Sequence, residues 1–117
     1  MSVSQILLLS IAEIIGDFGF KFFADGGGII PFVVGIIGYI GVIIYLIISL
    51  QHSSIMMVNG AWDGMSGLLE SAAGFIFLGE RFNDPLQYGG LIVIAFGLYL
   101  LRIPIEKKER FVWPKFW

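Results

Sequence analysis

Four carboxylates stand inside stretches that are otherwise apolar: Glu13 and Asp17 in the first, Asp63 and Glu70 in the third. At helical spacing Glu13, Asp17 and Lys21 fall at i, i+4 and i+8 and share one stripe. A charged group at the centre of a bilayer costs about 2.5–3.5 kcal/mol, so such residues face a partner or a wet cavity. Lys21 is near the end of its stretch, where it can snorkel to the interface, and Asp17 is placed to pair with it. Glu13 lies deeper, and it is the first candidate for exchanging a proton. In the third stretch Asn59, Asp63, Ser66 and Glu70 line one face, with Trp62 at its edge. These acidic groups either line a path or bind neighbouring helices. Trp62 and Tyr45 offer aromatic faces to a cation, although a lone Trp also serves as packing or as an interface anchor. A single His, His52, falls in a loop, and there is no Cys, so no metal site is expected.

Glycines run beside these polar stripes. Gly60, Gly64 and Gly67, with Ser71 and Gly74, make a small-residue seam on the third stretch, and Gly90 and Gly97 make another on the fourth. Such seams let helices approach closely within a membrane. The second stretch aligns Pro31, Gly35, Gly38, Val42, Tyr45 and Ser49 on one face.

The elements that position these residues follow from composition. Hydrophobic residues are 57% of the 117 and charged ones 14%, with a mean hydropathy of +0.90. That is too little polar surface for a small water-soluble domain, so lipid is the expected solvent. A hydrocarbon-spanning helix takes about 20 residues. Four spans are expected, at residues 3–23, 29–50, 55–78 and 86–103, followed by an interfacial tail, 104–117, that mixes Lys107, Lys108, Arg110 and Lys115 with Phe111, Trp113, Phe116 and Trp117. The breakers between spans are 24–28 (ADGGG), 51–54 (QHSS) and 83–85 (NDP). The apolar runs are continuous and do not alternate, which argues against a β-barrel. The first span lacks a basic leader region, and Glu13 and Asp17 interrupt it, so it is expected to be retained and not cleaved as a signal peptide. A net charge of −2 excludes a nucleic-acid binder built on a basic patch. The expected class is an all-α, multi-pass membrane protein: a four-transmembrane-helix bundle. One copy is too small to enclose a passage, so it is expected to work as a dimer.

Charge also bears on orientation. Lys21 and Arg81 belong to one side, and Arg102, Lys107, Lys108, Arg110 and Lys115 to the other. Without the tail the bundle is nearly unbiased; the tail favours an N-in, C-in orientation.

The sequence resembles the small multidrug resistance transporters of the drug/metabolite transporter superfamily. Ala12-Glu13-Ile14-Ile15-Gly16, with Lys21 eight residues after the Glu, looks like their first-helix motif. Ala61-Trp62-Asp63-Gly64 looks like their third-helix motif, and Gly79-Glu80-Arg81-Phe82, Pro85 and Gly90 through Gly97 look like their third loop and fourth helix. The resemblance implies an antiparallel homodimer, in a plasma or inner membrane, that exports small organic cations (quaternary ammonium, lipophilic or guanidinium-like) in exchange for protons. It is a transporter and not an enzyme, and it needs no cofactor. The roles it implies are proton and substrate binding by Glu13, lining of the site by Trp62, and dimer contact around Gly90 and Gly97. The chain departs from the usual pattern in having Asn59 for a Tyr, Asp63 for a small neutral residue, and carboxylates at Asp17 and Glu70. The extra acids suit a more highly charged cation such as a polyamine. Transport of a lipid-linked headgroup, or a scaffold role without transport, is also compatible with these residues.

Overall fold

The computed structural model describes residues 1–106 and 110–116. Its helices are α1 (Val3–Ala24), α2 (Ile29–Leu50), α3 (Ile55–Phe77) and α4 (Pro85–Leu100). Three start at side-chain caps. Ser2 Oγ accepts from the Gln5 N–H at 3.3 Å, Ser54 Oγ from the Met57 N–H at 3.1 Å, and Asp84 Oδ1 from the Leu86 N–H at 2.9 Å. At α4 the Asp84 N–H also donates to Gln87 Oε1 at 3.3 Å, and Pro85 occupies the first turn, where its missing N–H costs nothing. The entry to α2 has no side-chain cap; Gly26 and Gly28 turn the chain there at φ 93° and 88°, which only glycine adopts freely.

The first three helices have 22, 22 and 23 residues, about 33 Å each at 1.5 Å per residue, close to the thickness of bilayer hydrocarbon. α2 qualifies by length and hydropathy alone, with a mean hydropathy of 2.6. The acidic stripes lower the hydropathy of α1 and α3. α4 is apolar but has 16 residues, ending earlier than the expected span to 103. Leu101 caps it, Arg102 turns to φ 50°, and Leu101 and Ile103 fold back against the core.

Helices α1 and α2 pack over most of their length on a glycine crossing. A Cβ on Gly38 would lie 2.9 Å from the Ala12 carbonyl oxygen, and one on Gly19 would lie 2.6 Å from the Pro31 carbonyl oxygen. The face expected of α2 is the one that is buried, at Gly35, Gly38, Val42 and Ser49. The apolar core joins Ile6, Leu9 and Ala12 to Val42 and to Val58 and Ala61. α3 rests on α1, and α4 touches only α3 among the described helices. The result is a slab of 43 × 37 × 18 Å whose flanks carry many exposed large apolar side chains, Ile29, Ile37, Ile76, Ile92 and Phe96 among them. Lipid is the solvent that suits such flanks.

At one end of the bundle the N-terminus, loop two and the tail meet. The Met1 ammonium donates to Ser53 Oγ, and the Val3 N–H donates to the Pro104 carbonyl at 2.9 Å. Of the tail residues named above, Lys107, Lys108 and Trp117 lie outside the described residues.

Candidate functional site

A cluster of acidic side chains lies where α1 meets α3. Carboxylate oxygens of Glu13, Asp17 and Glu70, all half-buried, lie within 4.8 Å of one another. α1 supplies two of them from one stripe, and α3 supplies the third. Asp17 also accepts a hydrogen bond from the Tyr39 hydroxyl of α2, and the Tyr39 ring stacks on Phe20 at 5.5 Å between centroids. The Ser66 hydroxyl and the Trp62 indole lie against the Glu13 carboxylate. Trp62 Nε1 is buried, and no described residue takes up its N–H at hydrogen-bond geometry. Three carboxylates this close, in a half-dry place, repel one another unless protons or a cation are shared among them. The cluster is equipped to hold positive charge and to trade it for protons.

Not every expected residue joins. On α3 the face turned to α1 is Val58, Trp62, Ser66 and Glu70, spaced by four. Asn59 and Asp63, one position further round, are exposed; Asp63 acts on Glu13 only through its field. Tyr45 packs against the apolar core and touches none of the three carboxylates by hydrogen bond. The expected Asp17–Lys21 pair gives way to a different one. Lys21 Nζ bonds Asp25 at 3.1 Å at the exposed end of α1, while Asp17 turns inward to Tyr39. Lys21 gains by this, because its ammonium reaches the helix end, where water solvates it. Tyr39 is a member of this cluster that sequence reasoning misses; the signal for it is slight, a place four residues after Gly35 on the edge of the face that packs on α1.

The glycine seams divide. A Cβ on Gly60 would meet Leu101 at 3.3 Å, and one on Gly64 would meet Leu98 at 3.2 Å, so these two seat the end of α4 on α3. Gly67, Gly90 and Gly97 face open space within one chain. Beyond Glu70, a cavity of about 750 Å³ opens between α3 and α4, with Ser71, Phe75, Arg81 and Tyr88 on its walls. Arg81 sits over the Phe75 ring at 3.5 Å and donates to the Phe75 carbonyl at 2.9 Å. Its charge is thus held at the third loop, on the wall of the cavity that Glu70 also lines.

No curated protein and no solved structure matches the chain significantly. One family model does, that of the Small Multidrug Resistance protein, over residues 2–96. The match takes in all of α1, α2 and α3 and most of α4, carboxylate cluster included; the chain belongs to the small multidrug resistance family of integral membrane transporters.

Proposed function

We propose that this protein is a proton-coupled antiporter that exports organic cations, with Glu13 as the group that both proton and substrate occupy. The observation that carries it is the meeting of Glu13, Asp17 and Glu70 within 4.8 Å, with Trp62 and Ser66 against Glu13. Ionised, the cluster attracts a cation; protonated, it releases one. Competition for the same oxygens couples the two fluxes, and no covalent bond is made. The Trp62 ring and Tyr39 give a cation aromatic surface beside the charge. The slab is 18 Å in its thinnest direction, too thin to wall a passage. Two copies, antiparallel, would face their clusters toward each other and expose them alternately to the two sides. The open Gly90 and Gly97 on α4 suit the contact between copies.

A second substrate class is favoured by one observation: Asp17 and Glu70 stand with Glu13 and not elsewhere on their helices. A third carboxylate attracts every positive charge on the ligand, so it counts most for a ligand with more than one, such as a di- or polyamine. The test is flux in proteoliposomes with tetraphenylphosphonium, guanidinium and spermidine, with Glu13→Gln in parallel. Substrate-driven proton movement that vanishes in Glu13→Gln is expected, and the responding cation names the class. Equal flux in both proteins would sink the role given to Glu13. A protein silent toward every cation would point to a lipid-linked headgroup or to a scaffold role.

A further inference from the structure

The tail takes no part in the carboxylate site, yet it is fixed to the bundle. Pro104 O satisfies the Val3 N–H, one of the orphan donors in the first turn of α1. Farther on, Gln51, the residue that closes α2, meets Val112 with both halves of its side-chain amide. Nε2 donates to Val112 O at 2.7 Å, and Oε1 accepts from the Val112 N–H at 2.9 Å. One side chain thereby occupies both backbone groups of a tail residue, as a neighbouring strand would. Phe111 is half-buried and meets Trp113 edge to face at 5.7 Å between centroids; Trp113 meets Phe116 at 6.5 Å. The outer side of this segment is apolar and basic at once. Ile105, Val112, Trp113 and Phe116 are exposed, with Arg110 and Lys115 exposed among them. Across residues 104–117 the sequence sets four basic residues, Lys107, Lys108, Arg110 and Lys115, against Glu106 and Glu109, in a chain whose net charge is −2. Exposed indole and phenyl rings between cationic side chains fit the headgroup layer of a bilayer, and the excess positive charge selects an anionic one.

We propose that residues 104–106 and 110–116 belong to a strap that binds the anionic lipid surface, with Trp113 and Phe116 in the headgroup layer, Arg110 and Lys115 on phosphates, and Gln51 holding the strap to the end of α2. The partner is an anionic phospholipid leaflet on the side of the N-terminus and loop two. The strap does not depend on what the bundle transports.

The full-length protein carrying Trp62→Phe and Trp117→Phe, which leaves Trp113 as the reporter, goes into vesicles with brominated lipids. Quenching of Trp113 is expected to at least double when phosphatidylglycerol is added to phosphatidylcholine, and to fall back at high salt, since each basic residue near an anionic surface adds about fivefold to binding. Replacing Lys107, Lys108, Arg110 and Lys115 by Gln is expected to abolish the dependence on phosphatidylglycerol. Should that variant fail to fold, the salt titration of the parent decides the same point. Gln51→Ala is expected to speed exchange of the Val112 amide hydrogen while leaving the lipid dependence intact. Quenching that ignores lipid charge and salt overturns the lipid role. Trp113 shielded from every lipid and cross-linking to a second chain overturns it in favour of a protein contact. Val112 exchange that is equally fast with and without Gln51 overturns the strap. None of these readouts involves transport, so they stand apart from the antiport reading.

Discussion

Glu70→Gln should weaken the binding of a dication about twice as much, in free energy, as that of a monocation. With an effective dielectric of about 20, two unit charges 4.8 Å apart repel by about 3.5 kcal/mol, and a cation about 4 Å from a carboxylate gains about 4 kcal/mol. The carboxylate oxygens of Glu13, Asp17 and Glu70 lie within that 4.8 Å. In the ionised cluster Glu70 repels its two neighbours both before and after a cation binds, so that repulsion cancels from the affinity, and Glu70 contributes one attraction for each positive charge on the ligand. A monocation loses about 4 kcal/mol of attraction in the variant. A compact dication loses about 8 kcal/mol, twice as much. Partial exposure of the cluster scales these figures down together and leaves the twofold ratio between them. Binding to the purified protein, measured by calorimetry at alkaline pH with guanidinium and with a short diamine, makes the comparison. The same weakening for both ligands, or a dication left untouched, would refute the idea that Glu70 serves the second charge.

Gly38→Ala would push a methyl against the backbone of Gly16 and the Ala12 carbonyl; a loss of about 1–3 kcal/mol is expected in denaturant unfolding in detergent, because backbone cannot turn aside. Gly90→Ala meets no atom within 4 Å and should leave that stability unchanged. A dimer built on α4 predicts that Gly97→Leu keeps the fold of each chain but shifts the purified protein toward monomer, read by light scattering or cross-linking; a persistent dimer would move the contact elsewhere. Cation binding that displaces protons from the cluster should weaken as pH falls, by up to about tenfold per pH unit for each proton displaced. The proton release measured in weakly buffered solution should match that slope, and a pH-independent affinity would remove proton competition from the mechanism.

What is readable in the sequence, and what is not, follows from the range of the forces involved. Helix limits are local. The breaker at residues 24–28, the caps Ser2, Ser54 and Asp84, and Pro85 mark them within a residue or two at all ends but the last. The packed face of α2 is readable as well, since Gly35, Gly38, Val42 and Ser49 follow helical spacing and small size. The last turn of α4 is not, because Leu101 and Ile103 leave the helix to cover the core, and a hydropathy pattern does not say which way an apolar residue turns. The same limit decides the site. On α3, Asp63 and Trp62 are adjacent in sequence and about 100° apart around the helix. Only the docking of α3 on α1 determines that Trp62, Ser66 and Glu70 turn inward and that Asn59 and Asp63 turn out. Glu13 stands out because an acid deep in an apolar run is costly wherever it points. Its companions do not, because Asp17 has two hydrogen-bonding directions open to it, along its own helix to Lys21 or across to Tyr39. The choice between them is settled by a glycine crossing that brings α2 close enough for a tyrosine hydroxyl to reach. The close approach of α1 and α2 thus shapes the carboxylate cluster: glycines that look like packing alone bring the Tyr39 hydroxyl to Asp17, and Asp17 stands within that cluster.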